Sequence, residues 1–299
     1  MPVLADECGQ SGSVALVTLF WLLLITPMLR TTLPMVYGTA WKKERTTELV
    51  FSAVLDGFRG IDTACQPKHY REDLVGRAIE ELISKKIVSR DELWIQTKFT
   101  PLSGQDPKNI PYDASAPLPQ QVAESLERSL ANLRVDRIDS LLLHSPMDTL
   151  DQTLVVWRQF EIAVDAGKVA GLGISNCYDP SFLDKLFEKV RIKPQVVQNR
   201  FYKDSGYDKQ IRAFCLQHGI VYQSFWTLTA NPRLLKSPAL LSIALRDKIT
   251  PEQVLYRFVV ELGAQPLTGT TSAKHRIEAA AVASLRLSKA DVLSLNSLL

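Results

Sequence analysis

The chain is short of the features that mark a disulfide scaffold, a metal site or a nucleic-acid binder. It has four cysteines, Cys8, Cys65, Cys177 and Cys215, far apart and without a Cys-x-x-Cys pair. At 299 residues it has enough chain for a large core and needs no covalent staples. Reduced thiols in a cytoplasmic protein are the expectation, and no metal is expected. Charge of one sign is also lacking. The formal net charge of +3 gives no strong basic field and so no case for nucleic acid. No G-x-G-x-x-G follows an early strand, which counts against a doubly wound dinucleotide fold. Internal repeats and low-complexity tracts are absent. There is one uncharged apolar run, Val14 to Met28 (VALVTLFWLLLITPM). It falls short of the about 20 residues that span a bilayer. Asp6 and Glu7 stand where a signal peptide would carry Lys or Arg. Three readings of residues 1–30 stay open: an atypical segment packed on the domain, a membrane-associating or targeting segment, or a stretch outside the natural folded protein. Membrane association through this run is not favoured, and residues 31–299 are taken as the domain.

In that remainder, short apolar runs alternate with longer amphipathic stretches. Strands are expected at Val36–Thr39, Gly60–Ala64, Leu93–Lys98, Ile138–His144, Val169–Ser175, Val196–Arg200, Val221–Phe225 and Pro266–Gly269. Several are almost continuously apolar, as parallel strands buried on both faces are. Helices are expected at Thr46–Asp56, Leu74–Lys85, Gln120–Leu133, Thr149–Ala166, Ser181–Val190, Tyr207–His218 and Thr250–Leu262. Asp179-Pro180 and Thr250-Pro251 each put a capping side chain before a proline. Gly167 and Gly219 stand where helices should stop. About eight alternations in roughly 250 residues imply a closed (β/α)8 TIM barrel rather than an open sheet. Leu102–Pro119, rich in Pro, Asp, Asn and Ser, reads as a long loop on the barrel's active face.

Barrel chemistry sits at the C-terminal strand ends. Three successive strands carry an ionisable residue there: Asp62 in GFRGIDTA, Lys98 in LWIQTKF and His144 in IDSLLLH. Buried charges are costly unless paired, so three at one end of a barrel point to a site. The set suits carbonyl reduction, which puts a hydride on carbon and a proton on oxygen. A tyrosine can donate that proton if an ammonium stabilises its phenolate and a carboxylate holds the ammonium. Tyr70, in QPKHYRED, is the tyrosine available near Asp62.

With GFRGIDTA, TKF, LLLH, GLGISN and the Gln of PQVVQNRFY in order, the chain resembles the aldo-keto reductases from about Leu33 to about Ala290. The resemblance implies a (β/α)8 barrel and a catalytic set of Asp62, Tyr70, Lys98 and His144, with Tyr70 as general acid, Lys98 and Asp62 tuning its pKa and His144 positioning the carbonyl. The family places its tyrosine five residues after the aspartate, where this chain has Pro67, so the loop carries an insertion. His69 or water stands as the alternative donor. Further along, the resemblance implies that Ser175, Asn176 and Gln198, each expected at a strand end, hold a nicotinamide carboxamide. Phe225 stacks on the ring, while Trp226 and Leu228 (with Thr227) lie by the pyrophosphate. Thr270, Thr271 and Arg276 face an adenosine 2′-phosphate. The lysine of that last subsite is Thr270 here, and Ala279-Ala280 replace the adenine-contacting pair. NADPH is the expected cofactor, and Trp41 and Trp157 are candidate apolar walls for a carbonyl substrate. The resemblance implies a monomer. The alternatives are a non-catalytic NADPH-binding regulatory barrel, and a phosphate-binding barrel using Lys98 as a Schiff-base nucleophile.

Overall fold

Parallel strands that are apolar on both faces need cover on both faces, and here each is followed by a helix that supplies the outer cover. The computed structural model describes residues 33–299; residues 1–30 and Cys8, with the readings made of them, lie outside the described residues. The order is β1 (Val36–Gly38), α1 (Thr46–Leu55), β2 (Gly60–Asp62), α2 (Glu72–Ser84), β3 (Trp94–Phe99), α3 (Leu118–Leu133), β4 (Ser140–Leu143), α4 (Leu150–Asp165), β5 (Leu172–Ser175), α5 (Pro180–Lys189), β6 (Val196–Arg200), α6 (Lys209–Gln217), β7 (Val221–Phe225), α7 (Pro232–Leu235), α8 (Pro238–Asp247), α9 (Pro251–Glu261), β8 (Ala264–Thr268), α10 (Ala273–Ala280) and α11 (Lys289–Asn296). The strands form a closed parallel barrel in sequence order. It closes where Val36 and Tyr37 of β1 meet Leu267 and Thr268 of β8. The expected (β/α)8 barrel is the fold.

Local chemistry accounts for the helix ends. Asp179 accepts from the Ser181 amide at 2.9 Å and Pro180 opens α5. Thr250 and Gln253 form a reciprocal capping box, with Pro251 opening α9. Gly167 and Gly219 follow α4 and α6 with φ of 72° and 65°, a conformation that costs a side-chain-bearing residue about 1–2 kcal/mol. The start of α6 lies later than Tyr207, because Tyr207 and Asp208 themselves take left-handed φ values of 55° and 51°. Four helices beyond those expected appear: the short α7, α8, α10 and α11. Ser237-Pro238 starts α8 with a capping side chain followed by a proline, as Asp179-Pro180 and Thr250-Pro251 start α5 and α9.

The apolar core lies between the ring of strands and the helices, with Leu49, Val75, Val156, Phe160, Val254 and Phe258 fully covered. Inside the barrel the filling is different. Interiors of this type are usually layered with Val, Ile and Leu, yet here Gln96, Gln198, Gln223 and Gln265 are buried there with Asp62 and Lys98. Among the described residues, no helix is long and apolar enough to cross a membrane.

Candidate active site

Asp62, Lys98 and His144 come together at the C-terminal ends of β2, β3 and β4. Asp62 closes β2, Lys98 is the penultimate residue of β3, and His144 follows directly on β4. Lys98 Nζ donates to Asp62 Oδ1 at 2.6 Å and to the Thr63 carbonyl at 2.8 Å, and both side chains are buried. The same carboxylate oxygen also accepts from Gln96 Nε2 at 2.7 Å and Gln198 Nε2 at 3.0 Å. Both amides donate to Gln223 Oε1, and Gln223 Nε2 donates to Gln265 Oε1 at 2.8 Å. A chain of amides therefore fixes Asp62 from below. Gln96, Gln223 and Gln265 carry no clear signal in the sequence, since each shares its strand with other polar residues, Thr97 and Lys98, Ser224, and Thr268.

The inserted loop still delivers its tyrosine. The amides of His69 and Tyr70 both donate to the Gln66 carbonyl at 3.0 Å, closing a tight turn. Gln66 Nε2 ties that turn to the Gly104 carbonyl, and the Trp41 amide donates to the His69 carbonyl at 2.8 Å. Tyr70 then lies with its ring centroid 5.6 Å from Lys98 Nζ and 6.1 Å from the His144 ring. His69 turns away to stack on Trp41, with ring centroids 3.7 Å apart. The pKa shifts set roles. Burial, with the Asp62 carboxylate adding to it, raises the Tyr70 phenol, and burial outweighs Asp62 to lower the Lys98 ammonium. The phenol therefore rests protonated near neutral pH. Burial, then the Lys98 charge, lowers His144 to about 3, so its imidazole is neutral near pH 7. Its Nδ1 is 2.6 Å from Thr100 Oγ1.

Asp62, Tyr70 and His144 line a cleft of about 510 Å³, together with Gly38, Trp41, Lys42, Ser175, Asn176, Gln198, Arg200, Phe225, Trp226 and Thr271, and Lys98 lies buried behind Asp62. Ser175 Oγ donates to the Gln198 carbonyl at 2.7 Å. Asn176, left-handed at φ 53°, donates from Nδ2 to the His144 carbonyl at 2.9 Å. Gln198 is not at the end of its strand, since β6 runs on to Arg200. Trp41 and Trp226 are 62% and 49% exposed, so both stand at the mouth with part of their apolar area open to solvent. Arg200 lies with its guanidinium carbon 4.2 Å from the Trp226 ring centroid. Nothing in a single sequence marks Arg200, because its importance comes from the neighbour across the loop. A second cavity of about 490 Å³ shares Tyr70 with this one and is lined by Glu72, Arg128 and Asn132.

Some expected site residues are elsewhere or otherwise engaged. Trp157 is 1% exposed inside α4, and its Nε1 donates to the Ile192 carbonyl at 2.9 Å. It is a core residue, buried by its own apolar area, and not a substrate wall. The Leu228 side chain packs against the core rather than lining the cleft, as the chain turns back after Trp226. Thr270 Oγ1 accepts from the Ser272 amide at 3.2 Å in a local turn. Arg276 is buried with its Nε donating to Asp56 Oδ2 at 2.7 Å, so its charge is already offset within the fold. Among the described residues no cluster of His, Cys, Asp and Glu could hold a metal ion.

The barrel and the strand-end set define a class, and comparison with known proteins identifies it. The model of the Aldo/keto reductase family matches residues 34–299, and this chain belongs to that family. It is 31% identical over 218 residues to 2,5-diketo-D-gluconic acid reductase B of Corynebacterium sp. (strain SHS752001), covering 72% of this chain and 70% of the relative. It is 29% identical to glyoxal reductase of Bacillus subtilis (strain 168), covering 84% and 83%. Among solved structures, an aldo-keto reductase enzyme from a Medee basin deep-sea metagenome library superposes with a TM-score of 0.74 at 24% identity, covering 88% of this chain and 90% of that one. The chain is thus an oxidoreductase of the aldo-keto reductase type.

Proposed function

We propose that this protein reduces an aldehyde or ketone to an alcohol with NADPH, using Tyr70 as the general acid. The observation that carries this reading is the meeting of Tyr70, the buried Lys98–Asp62 pair and His144 at one cleft. The cleft fits a nicotinamide dinucleotide. It offers the Phe225 ring as a stacking face and Ser175, Asn176 and Gln198 as polar partners for a carboxamide. Gln198 Nε2 is committed to Asp62 and Gln223, which leaves its Oε1 to accept. Lys42 and Arg200 line the cleft as cations with no carboxylate partner among the described residues, and they suit the phosphates. When bound, the cofactor supplies the hydride.

The side chains supply the rest. A carbonyl oxygen placed between Tyr70 and His144 receives a hydrogen bond from each. An imidazole that accepts from Thr100 at Nδ1 carries its proton on Nε2, and being neutral it orients the oxygen without competing as an acid. Tyr70 is loaded with its proton at neutral pH and passes it to the developing alkoxide. The phenolate left behind is stabilised by the nearby Lys98 ammonium, whose Nζ is 5.6 Å from the ring centroid. Asp62, fixed by two glutamines, holds that ammonium in place. Trp41 and Trp226 give the mouth an apolar rim suited to an aromatic or otherwise bulky carbonyl compound.

NADPH oxidation with a panel of aromatic aldehydes and ketones tests the reading. In Tyr70→Phe, turnover should fall by about 10²- to 10⁴-fold, with NADPH binding retained. Equal turnover in both proteins would remove Tyr70 as the donor. Tight NADPH binding without turnover in either would favour the regulatory barrel.

A further inference from the structure

The lysine that the family resemblance expects just after β8 is Thr270 in this chain, yet an ammonium stands at that strand end. It belongs to Lys42, on the connection between β1 and α1. Lys42 is 8% exposed, and its Nζ donates to the carbonyl of Gly269, the residue beside Thr270, and to that of Ala40 at 3.2 Å. Gly269 makes room for it. A Cβ at that position would lie 3.3 Å from Nζ and 3.4 Å from the Gly38 carbonyl oxygen, so any side chain there would crowd the ammonium.

The surroundings do not neutralise this charge. Among the described residues no carboxylate pairs with Lys42, because Asp56 is taken by Arg276 and Asp62 by Lys98. Two carbonyls occupy two of the three donors of the ammonium, leaving one. A buried cation with two carbonyl dipoles and the Tyr37 ring, 5.9 Å from Nζ to its centroid, but no counter-charge is costly, and burial lowers its pKa to about 8. Such an arrangement is explained by an anion that arrives with a ligand. Lys42 lines the cleft in company with Thr271, and Arg276, offset by Asp56, does not fill the gap alone.

We propose that Lys42 is a phosphate-binding residue of the cofactor cleft, bringing from the β1–α1 connection the ammonium that the chain lacks at Thr270. This rests on the reading that the cleft takes a nicotinamide dinucleotide. The purified full-length protein, Lys42→Met and Lys42→Gln are titrated with NADPH and with NADH, following cofactor fluorescence. Lys42→Gln keeps a donor for the Gly269 carbonyl while removing the charge, and so covers the case in which Lys42→Met does not fold. Loss of one charge-assisted contact should weaken NADPH binding about 10- to 100-fold in the folded variants. Adding Thr270→Lys to the Lys42→Gln variant should recover part of the affinity. A loss confined to NADPH places the contact at the 2′-phosphate, and an equal loss for NADH places it at the pyrophosphate; both support the inference. Unchanged affinity for both cofactors in a folded Lys42→Gln variant would overturn it and leave the cofactor reading standing. A wild-type protein that binds neither cofactor would overturn both.

Discussion

At the scale of single residues, the Lys98–Asp62 pair carries a high electrostatic cost, and the proposed mechanism rests on it. Both groups are taken from water, and each is tolerable only because of the other and of the amides around Asp62. Removing one partner leaves a buried charge without compensation. Lys98→Met should therefore lower stability by about 3–5 kcal/mol, read from urea denaturation. Adding Asp62→Asn should recover much of that loss, since the oxygen of the introduced amide can still accept from the glutamines, while turnover stays abolished. Stability that does not recover in the double variant would mean that the Lys98 contact with the Thr63 carbonyl, and not the charge, is what matters. These two residues and His144 were legible in the sequence, because an ionisable group ending an apolar run is conspicuous in one dimension. Lys42, Arg200 and Gln223 were not. Each owes its importance to a neighbour far along the chain: Gly269, Trp226 and Gln96. Trp157 shows the converse, a large aromatic at a plausible position that the fold uses as packing.

At the scale of elements, the connection from β2 to α2 shows how a displaced residue can keep its place. Pro67 stands at the expected offset from Asp62, but the turn closed on Gln66 and pinned by Gly104 and Trp41 carries Tyr70 back to the Lys98 ammonium. Two residues on, Glu72 anchors the start of α2. It is buried and accepts from Thr97 Oγ1, from Ser129 Oγ at 3.0 Å and from Asn132 Nδ2 at 3.4 Å. The same helix meets α3 at Gly76, where a Cβ would come within 2.0 Å of the Asn132 carbonyl oxygen. In an exposed helix, Gly→Ala gains up to about 1 kcal/mol. Here the backbone of α3 would have to retreat, so Gly76→Ala should lower stability by about 1–3 kcal/mol or more, measured as a drop in Tm. An unchanged or raised Tm would show that α2 and α3 can separate freely at this point. Strand and helix order was legible from periodicity, while boundaries moved wherever left-handed residues such as Tyr207 and Asp208 intervened. The Ser-Pro start of α8 is a signal present in the sequence, and Leu240, Ile243 and Ala244 after it form the buried face.

For the molecule as a whole, buried titratable groups give stability a definite dependence on pH. The folded-state pKa of His144 is depressed from 6.5 to about 3. Between those values the unfolded chain binds a proton that the folded chain refuses, so stability is fully present above pH 6.5 and declines as pH falls towards 3. The effect should be on the order of a few kcal/mol. His69 is lowered in the same direction and adds a share that persists in a His144 variant. Urea midpoints measured from pH 7 to pH 4 should fall less steeply for His144→Asn than for the wild type. Parallel slopes would mean that His144 is reached by water and does not resist protonation.

The closure of the barrel also bears on how the molecule comes into being. The first strand has only one neighbour until the last is available, because β1 pairs with β8 across more than two hundred residues of chain. The bond from Lys42 to Gly269 crosses the same seam. During synthesis on the ribosome, Asp62, Tyr70, Lys98 and His144 all emerge well before Ala264, yet the sheet they end keeps two open edges until the final strand arrives. Open parallel edges are templates for pairing with other chains. The nascent protein is thus most exposed to misassembly at the stage when nearly all of its chemistry is already present, and the step that completes the cleft wall at β8 is also the step that removes that hazard.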